Sequence, residues 1–155
     1  MIVVSDTSVL SYLVSLQLEE GLRRLYGRIL IPSAVESELL HPSAPPLVRA
    51  WMARLPEWIE VRSVRLTTEQ HIHGLDPGET EAIYLAERVK ADRLILDDAP
   101  ARAEAARRGL PVIGTLRVLE QMSKLGFVDL ATAIRELRNL GFRVSDDIVR
   151  DLLRS

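Results

Sequence analysis

Short apolar, β-branched runs alternating with helix-length amphipathic segments predict an α/β fold with a central, mostly parallel sheet flanked by helices. Two further observations point the same way. The segments between successive strand-like runs have the length of right-handed helical crossovers, which parallel strands require. Acidic residues also recur at one structural address, just past a strand-like run or in the opening turns of the helix that follows a breaker: Asp6, Glu38, Glu81 and the Asp97-Asp98 pair. In an open parallel sheet the carboxyl ends of the strands share one edge, so side chains from such addresses can meet in one crevice.

The elements follow in order from local signals. Residues 2–5 form the first strand, and Asp6 or Thr7 caps a helix carrying Val9, Leu10, Leu13 and Val14. A second helix over 18–26 stops at Gly27, and a strand over 28–31 is terminated by Pro32. Ser33 starts a third helix. The HPSAPP segment, 41–46, is the clearest loop, and leads to a helix carrying Val48, Trp51, Met52 and Leu55. Residues 58–64 alternate as a strand with Ile59 and Val61 inward, and Trp51, Met52, Leu55 and Trp58 are assigned to the core rather than to an interface. The DPGE signal opens a helix that runs to about Lys90. Strands at 93–96 and 112–114 enclose an alanine- and arginine-rich helix over 99–108, and the tail from Thr115 reads as three helices.

Composition limits the function classes. A chain of 155 residues with 47% hydrophobic content, no internal repeat and no linker is expected to form a single domain over 1–155. The absence of cysteine excludes disulfides and thiolate metal sites, and fits a cytoplasmic protein. The apolar opening is interrupted by Asp6 too early to span a bilayer and lacks a basic leader region, so no membrane association is expected. A net charge of −2 argues against a generic nucleic-acid coat. An acidic crevice filled by a cation inverts its own local charge, so an enzyme acting on nucleic acid stays open.

Two motifs each hold a pair of acids two residues apart. Ser33 and Glu36, and Asp76 and Glu79, have the spacing of capping boxes, with Pro77 at the first helical position of the second. Residues i and i+2 lie about 200° apart around a helix, so Glu38 and Glu81 point away from the cap and toward the boundary of core and solvent. Each acid taken singly has a structural reading: Asp6 and Asp97 as helix caps, Glu38 and Glu81 as solvated charges near a helix start. The adjacent Asp97-Asp98 pair after an apolar strand tips the balance, because clustered like charges cost stability unless something positive compensates. Hard divalent cations, Mg²⁺ or Mn²⁺, take such oxygen ligands.

The segments VVSDTS (3–8), IPSAVESEL (31–39), LDPGETEAI (75–83), LILDDAPAR (94–102) and VIGTL (112–116) occur in the order found in PIN-domain ribonucleases, and the chain resembles the VapC-like toxins and their relatives. The resemblance spans nearly the whole sequence. It implies a PIN-like three-layer α/β fold and a metal-dependent endoribonuclease acting on single-stranded RNA, as the toxin of a toxin–antitoxin pair. It also implies that Asp6, Glu38, Glu81 and Asp98 are the catalytic, metal-binding acids, with Asp97 as a further ligand and Thr7, Ser8, Glu79 and Thr115 in support. Glu81 stands where VapC toxins commonly have Asp, and LDD where many have T-x-D, which leaves Asp97 and Asp98 open as the main ligand. Homodimerisation and a small antitoxin partner are expected from the resemblance alone.

The residues offer no rival chemistry. There is no cysteine, P-loop or G-x-S-x-G elbow. An aspartyl-phosphate phosphatase needs a second acid two residues after Asp6, where Ser8 stands. No glycine-rich loop follows the first strand, against a nucleotide-binding module. Arg102, Arg107 and Arg108 are the candidate RNA contacts, with Arg23 and Arg24 as further cations. Their structural reading is a solvated, salt-bridged helix face. Aromatic content of 5% excludes a broad stacking platform. The competing function is a non-catalytic PIN-like binding module.

Overall fold

A computed structural model describes residues 1–154. Five strands, β1 (Val3–Ser5), β2 (Ile29–Pro32), β3 (Ile59–Arg62), β4 (Arg93–Ile95) and β5 (Val112–Ile113), form one sheet in the order β3-β2-β1-β4-β5. Every neighbouring pair is parallel. The described helices are α1 (Thr7–Ser15), α2 (Glu20–Tyr26), α3 (Ser33–Leu40), α4 (Pro46–Met52), α5 (Pro77–Val89), α6 (Ala99–Arg107), α7 (Thr115–Lys124), α8 (Leu130–Asn139) and α9 (Asp146–Arg154). A 3-10 turn, Thr68–Gln70, precedes α5.

Strand residues alternate between two cores, as the two-residue period of a strand dictates. Val3, Ile29, Ile31 and Ile95 join Leu10 and Leu13 of α1, Leu22 of α2, Val35 and Leu39 of α3, and the buried faces of α4, α7 and α8. Val4, Leu30, Leu94 and Leu96 face the other way, onto Ala82, Ile83, Leu85 and Ala86 of α5 and Ala101 and Ala105 of α6. The result is three layers, helices on both sides of a parallel sheet, as the sequence predicts.

Boundaries differ from the expected ones for identifiable reasons. The second helix begins at Glu20 rather than at 18 because Gln17, at φ 58°, closes α1. There Leu18 N–H donates to the Leu13 carbonyl and Gln17 N–H to Val14, a Schellman arrangement that consumes the residues expected to open α2. β3 stops at Arg62 because its only partner ends at the paired Pro32, where α3 takes over. α4 stops at Met52, and Leu55 packs against the core from beyond its end. The expected Ser33–Glu36 capping box is not formed: Pro32 is the cap residue of α3 and Ser33 is already helical.

The chain fills the sheet leftward from β1 to β3 and then returns to β4 on the other side of β1. Between β1 and β4 the strand order reverses, and at such a switch point the outgoing loops diverge and leave a crevice beyond the carboxyl ends of the strands.

Candidate metal centre at the sheet edge

Asp6 sits at the carboxyl end of β1, at this switch point. Its backbone N–H donates to the Ile95 carbonyl at 3.1 Å, tying β1 to β4, and only 2% of the residue is exposed. Its Oδ1 accepts the Val9 N–H at 3.4 Å and the Ser8 hydroxyl at 3.5 Å, so the helix-cap reading is correct as far as it goes. A buried carboxylate with only weak donors carries a desolvation penalty, and the Asp97 charge adds repulsion. Together they hold the Asp6 carboxyl well above the usual range.

Glu38 reaches the same crevice from α3. Thr7 Oγ1 donates to its Oε2 at 3.3 Å, and burial together with the charges of Asp76 and Glu79 pushes its carboxyl up to about 7. The carboxylate lies in a cradle made by Gly78 in the first turn of α5. A Cβ at position 78 would stand 2.1 Å from Glu38 Oε2, so only glycine admits this approach. Asp6, Thr7, Ser8, Ser11, Tyr12, Glu38, Asp76 and Glu79 together line a crevice of about 310 Å³.

The two glutamates of the DPGETE motif are distributed otherwise than their spacing suggests. Glu79 makes the expected capping box, its Oε1 accepting the Asp76 N–H at 3.1 Å while Asp76 Oδ1 accepts the Glu79 N–H at 2.7 Å. Yet the box places Glu79 and Asp76 in the crevice wall, where burial raises the Glu79 carboxyl with help from the charges of Asp76 and Asp98. Glu81, about 200° round the helix, points to the start of α3. Its Oε1 accepts the Ala34 N–H at 3.0 Å and the Ser33 hydroxyl at 3.3 Å. Glu81 thus satisfies the amide end of α3 that the missing box leaves open, while Glu38 of α3 lies against the amide end of α5. The two helices exchange carboxylates.

Asp97 and Asp98 follow β4 with different partners. Thr115, at the first residue of α7, donates its N–H to Asp97 Oδ1 at 2.8 Å and its hydroxyl to Oδ2 at 2.6 Å. Asp98 caps α6 by accepting the Ala101 N–H at 3.1 Å. Both belong to the crevice electrostatically, Asp97 acting on Asp6 and Asp98 on Glu79.

The candidate arginines separate in the same way. Arg102, in the first turns of α6, donates to the Leu96 carbonyl at 3.0 Å beside the Asp pair. Arg107 and Arg108 lie at the far end of that helix, engaged with Glu104 at 2.6 Å each. Arg108 also pairs with Glu87 at 2.9 Å and lies over the Tyr84 ring. Arg108 ties α6 to α5, while the Arg107 pair stays within α6. Arg23 is paired with Glu20, and Arg24 stacks on Phe127.

Among the described residues, no group of three or more His, Cys, Asp or Glu side chains stands close enough to hold a metal ion between them. The donor set nevertheless fits a hard cation. The crevice wall offers carboxylate and hydroxyl oxygens and no basic side chain among the described residues, with Asp6 buried, Glu38 and Glu79 half-buried, and Gly78 leaving room for the Glu38 carboxylate. Mg²⁺ in particular retains waters and binds through one or two carboxylates, so a closed cage is not required.

An acidic crevice thus opens at the switch point of a parallel three-layer α/β domain, with Asp6 buried at its base and Glu38 and Glu79 half-buried in its wall. A family model described as PIN domain matches residues 2–155, and the chain belongs to the PIN-domain family. Among solved structures it is similar to a PilT N-terminus domain protein from the hyperthermophilic archaeon Sulfolobus solfataricus P2, at 18% identity and a TM-score of 0.56, covering 79% of this chain and 93% of that one. That likeness extends to the fold. No curated protein matches the chain.

Proposed function

We propose that the crevice is the active site of a Mg²⁺- or Mn²⁺-dependent endoribonuclease that hydrolyses phosphodiester bonds of single-stranded RNA. The observation that carries this reading is the buried Asp6 carboxylate, sharing with Glu38 and Glu79 an acidic crevice that no basic side chain lines among the described residues. Such a cluster is costly unless a cation occupies it. When bound, a divalent ion supplies Lewis acidity to a phosphoryl oxygen and acidity to an attacking water. Asp6 and Glu38 are the residues that would hold it, with Glu79, Asp97 and Asp98 orienting water around it. Thr7 steadies Glu38 through its hydroxyl, and Thr115 fastens Asp97 with both of its donors. Glu81 contributes by holding α3, and hence Glu38, against α5.

The resemblance to VapC-like toxins extends the proposal to a toxin restrained by a small antitoxin and acting as a homodimer. That extension rests on the family and on no residue pattern. One observation favours a second reading, a non-catalytic PIN-like binding module: among the described residues no three acids converge on one point. Incubation of the folded protein with labelled single-stranded RNA and Mn²⁺ separates the two. Cleavage that stops with chelator and is absent in Asp6→Asn supports the nuclease, and RNA binding without cleavage under every metal supports the module.

A further inference from the structure

A second hollow of about 340 Å³ adjoins the acidic crevice, lined by Asp97, Arg102, Gly114, Leu116, Arg117, Phe142, Ile148 and Leu152. Its volume is within the range of small-ligand pockets, roughly 300–1,000 Å³. The two cavities share a wall. Tyr12 of the crevice and Phe142 of the hollow stack edge to face with centroids 5.4 Å apart. Asp97, whose charge acts on both Asp6 and Tyr12, lines the hollow itself.

The hollow combines two chemistries that the crevice lacks. Arg102 uses one N–H on the Leu96 carbonyl and makes no ion pair among the described residues. Arg117 pairs through Nη1 with the buried Glu120 at 2.6 Å, while 59% of its side chain stays exposed. The same lining carries apolar side chains, Leu116 from α7, Phe142 before α9, and Ile148 and Leu152 from α9, of which Ile148 is 49% exposed. An anionic group joined to a flat apolar one fits such a lining, and a nucleotide has that composition.

Resting on the nuclease reading of the adjoining crevice, we infer that this hollow is the subsite for the nucleotide next to the scissile phosphate. Arg102 and Arg117 meet its phosphate, and Phe142, Leu116, Ile148 and Leu152 receive its base. The C-terminal helix α9 is then part of the substrate groove. Recognition rests on one base held against apolar side chains, which agrees with the low aromatic content.

The test is fluorescence anisotropy of a labelled ten-nucleotide RNA in EDTA, so that binding is read without metal or cleavage, on the wild type, Ile148→Glu and Arg102→Gln. Ile148→Glu changes an exposed position, and its fold is checked by circular dichroism. Each variant is expected to weaken RNA binding roughly ten-fold or more, the loss of one base contact or one phosphate contact, while Mn²⁺ affinity stays at the wild-type value. A 4-thiouridine RNA is expected to crosslink to residues of 142–152. Unchanged affinity in both folded variants, or crosslinks confined to other surfaces, overturns the subsite. A wild type that binds RNA through this hollow but never cleaves it refutes the nuclease reading, and with it the place beside a scissile phosphate, while upholding the hollow as a nucleotide-binding site. Protection of the hollow by a protein partner with no RNA binding overturns the subsite in favour of a peptide groove.

Discussion

Replacement of Gly78 by alanine separates the stability of this fold from its function. The new methyl would stand 2.1 Å from Glu38 Oε2 and 2.9 Å from its Cδ, and no Cβ tolerates contact under 3.0 Å. The carboxylate must therefore retreat by roughly 1 Å, which it can do because it ends a flexible, half-buried side chain. Alanine is the better helix former by up to about 1 kcal/mol. Relief of crowding among the acids adds in the same direction, because Glu38 is already held up to about 7 by burial and by Asp76 and Glu79. Gly78→Ala is expected to melt at or above the wild-type temperature. Displacement of one ligand by this distance is expected to weaken Mn²⁺ binding by roughly 10–100-fold, the scale seen when a metal ligand loses its positioning. Differential scanning calorimetry and isothermal titration on the same preparation read both quantities. Wild-type Mn²⁺ affinity in folded Gly78→Ala would refute the reasoning, because Glu38 would then have no part in metal binding from this cradle.

Other expectations follow from the same geometry. Glu81→Gln keeps an acceptor for Ala34 N–H and Ser33 and should retain most Mn²⁺ affinity. Glu81→Ala should lose stability by about 1 kcal/mol, the usual effect of deleting a cap, and equal, complete loss of metal binding in both would instead make Glu81 a ligand. Mn²⁺ affinity should rise with pH through about 7, as the Glu38 proton leaves, and an affinity flat from pH 5 to 8 would contradict the assignment. The Glu38 carboxyl is raised above the ordinary 4.5, so its contribution to metal-free stability is fully present below that value and lost as pH rises through about 7, which urea titrations at several pH values detect. Arg108→Ala should destabilise by about 1–2 kcal/mol by freeing Glu87 and leaving Glu104 to Arg107 alone, with RNA affinity unchanged in the anisotropy assay.

The layers of this protein were legible because two periods were: alternation put Val3 and Val4 on opposite faces of the sheet, and helical spacing put Leu10 and Leu13 together. The address of Asp6 was legible for the same reason, since a polar residue directly after a buried strand can only stand at the sheet edge. What escaped was the choice between Glu79 and Glu81. Their spacing shows that they face apart and does not show which face meets the crevice, because that depends on how α5 packs against α3. A capping bond also leaves the rest of a carboxylate free, so a cap acid can line a site, as Glu79 and Asp76 do. The partner of Glu81 lies 47 positions away in sequence, beyond any local signal. Arg107 and Arg108 had a local signal in Glu104, three and four residues earlier, which identifies them as ion-paired helix residues.

Calorimetric titration of Mn²⁺ into the wild type and Asp6→Asn tests the central claim most directly. Asparagine keeps an oxygen for the Val9 N–H while removing a buried charge and its repulsion with Asp97, so the variant should fold and should melt no lower than the wild type. Saturable binding in the wild type that disappears in folded Asp6→Asn is the predicted result. No binding to the wild type, or equal binding to both proteins, would contradict a metal centre at this crevice.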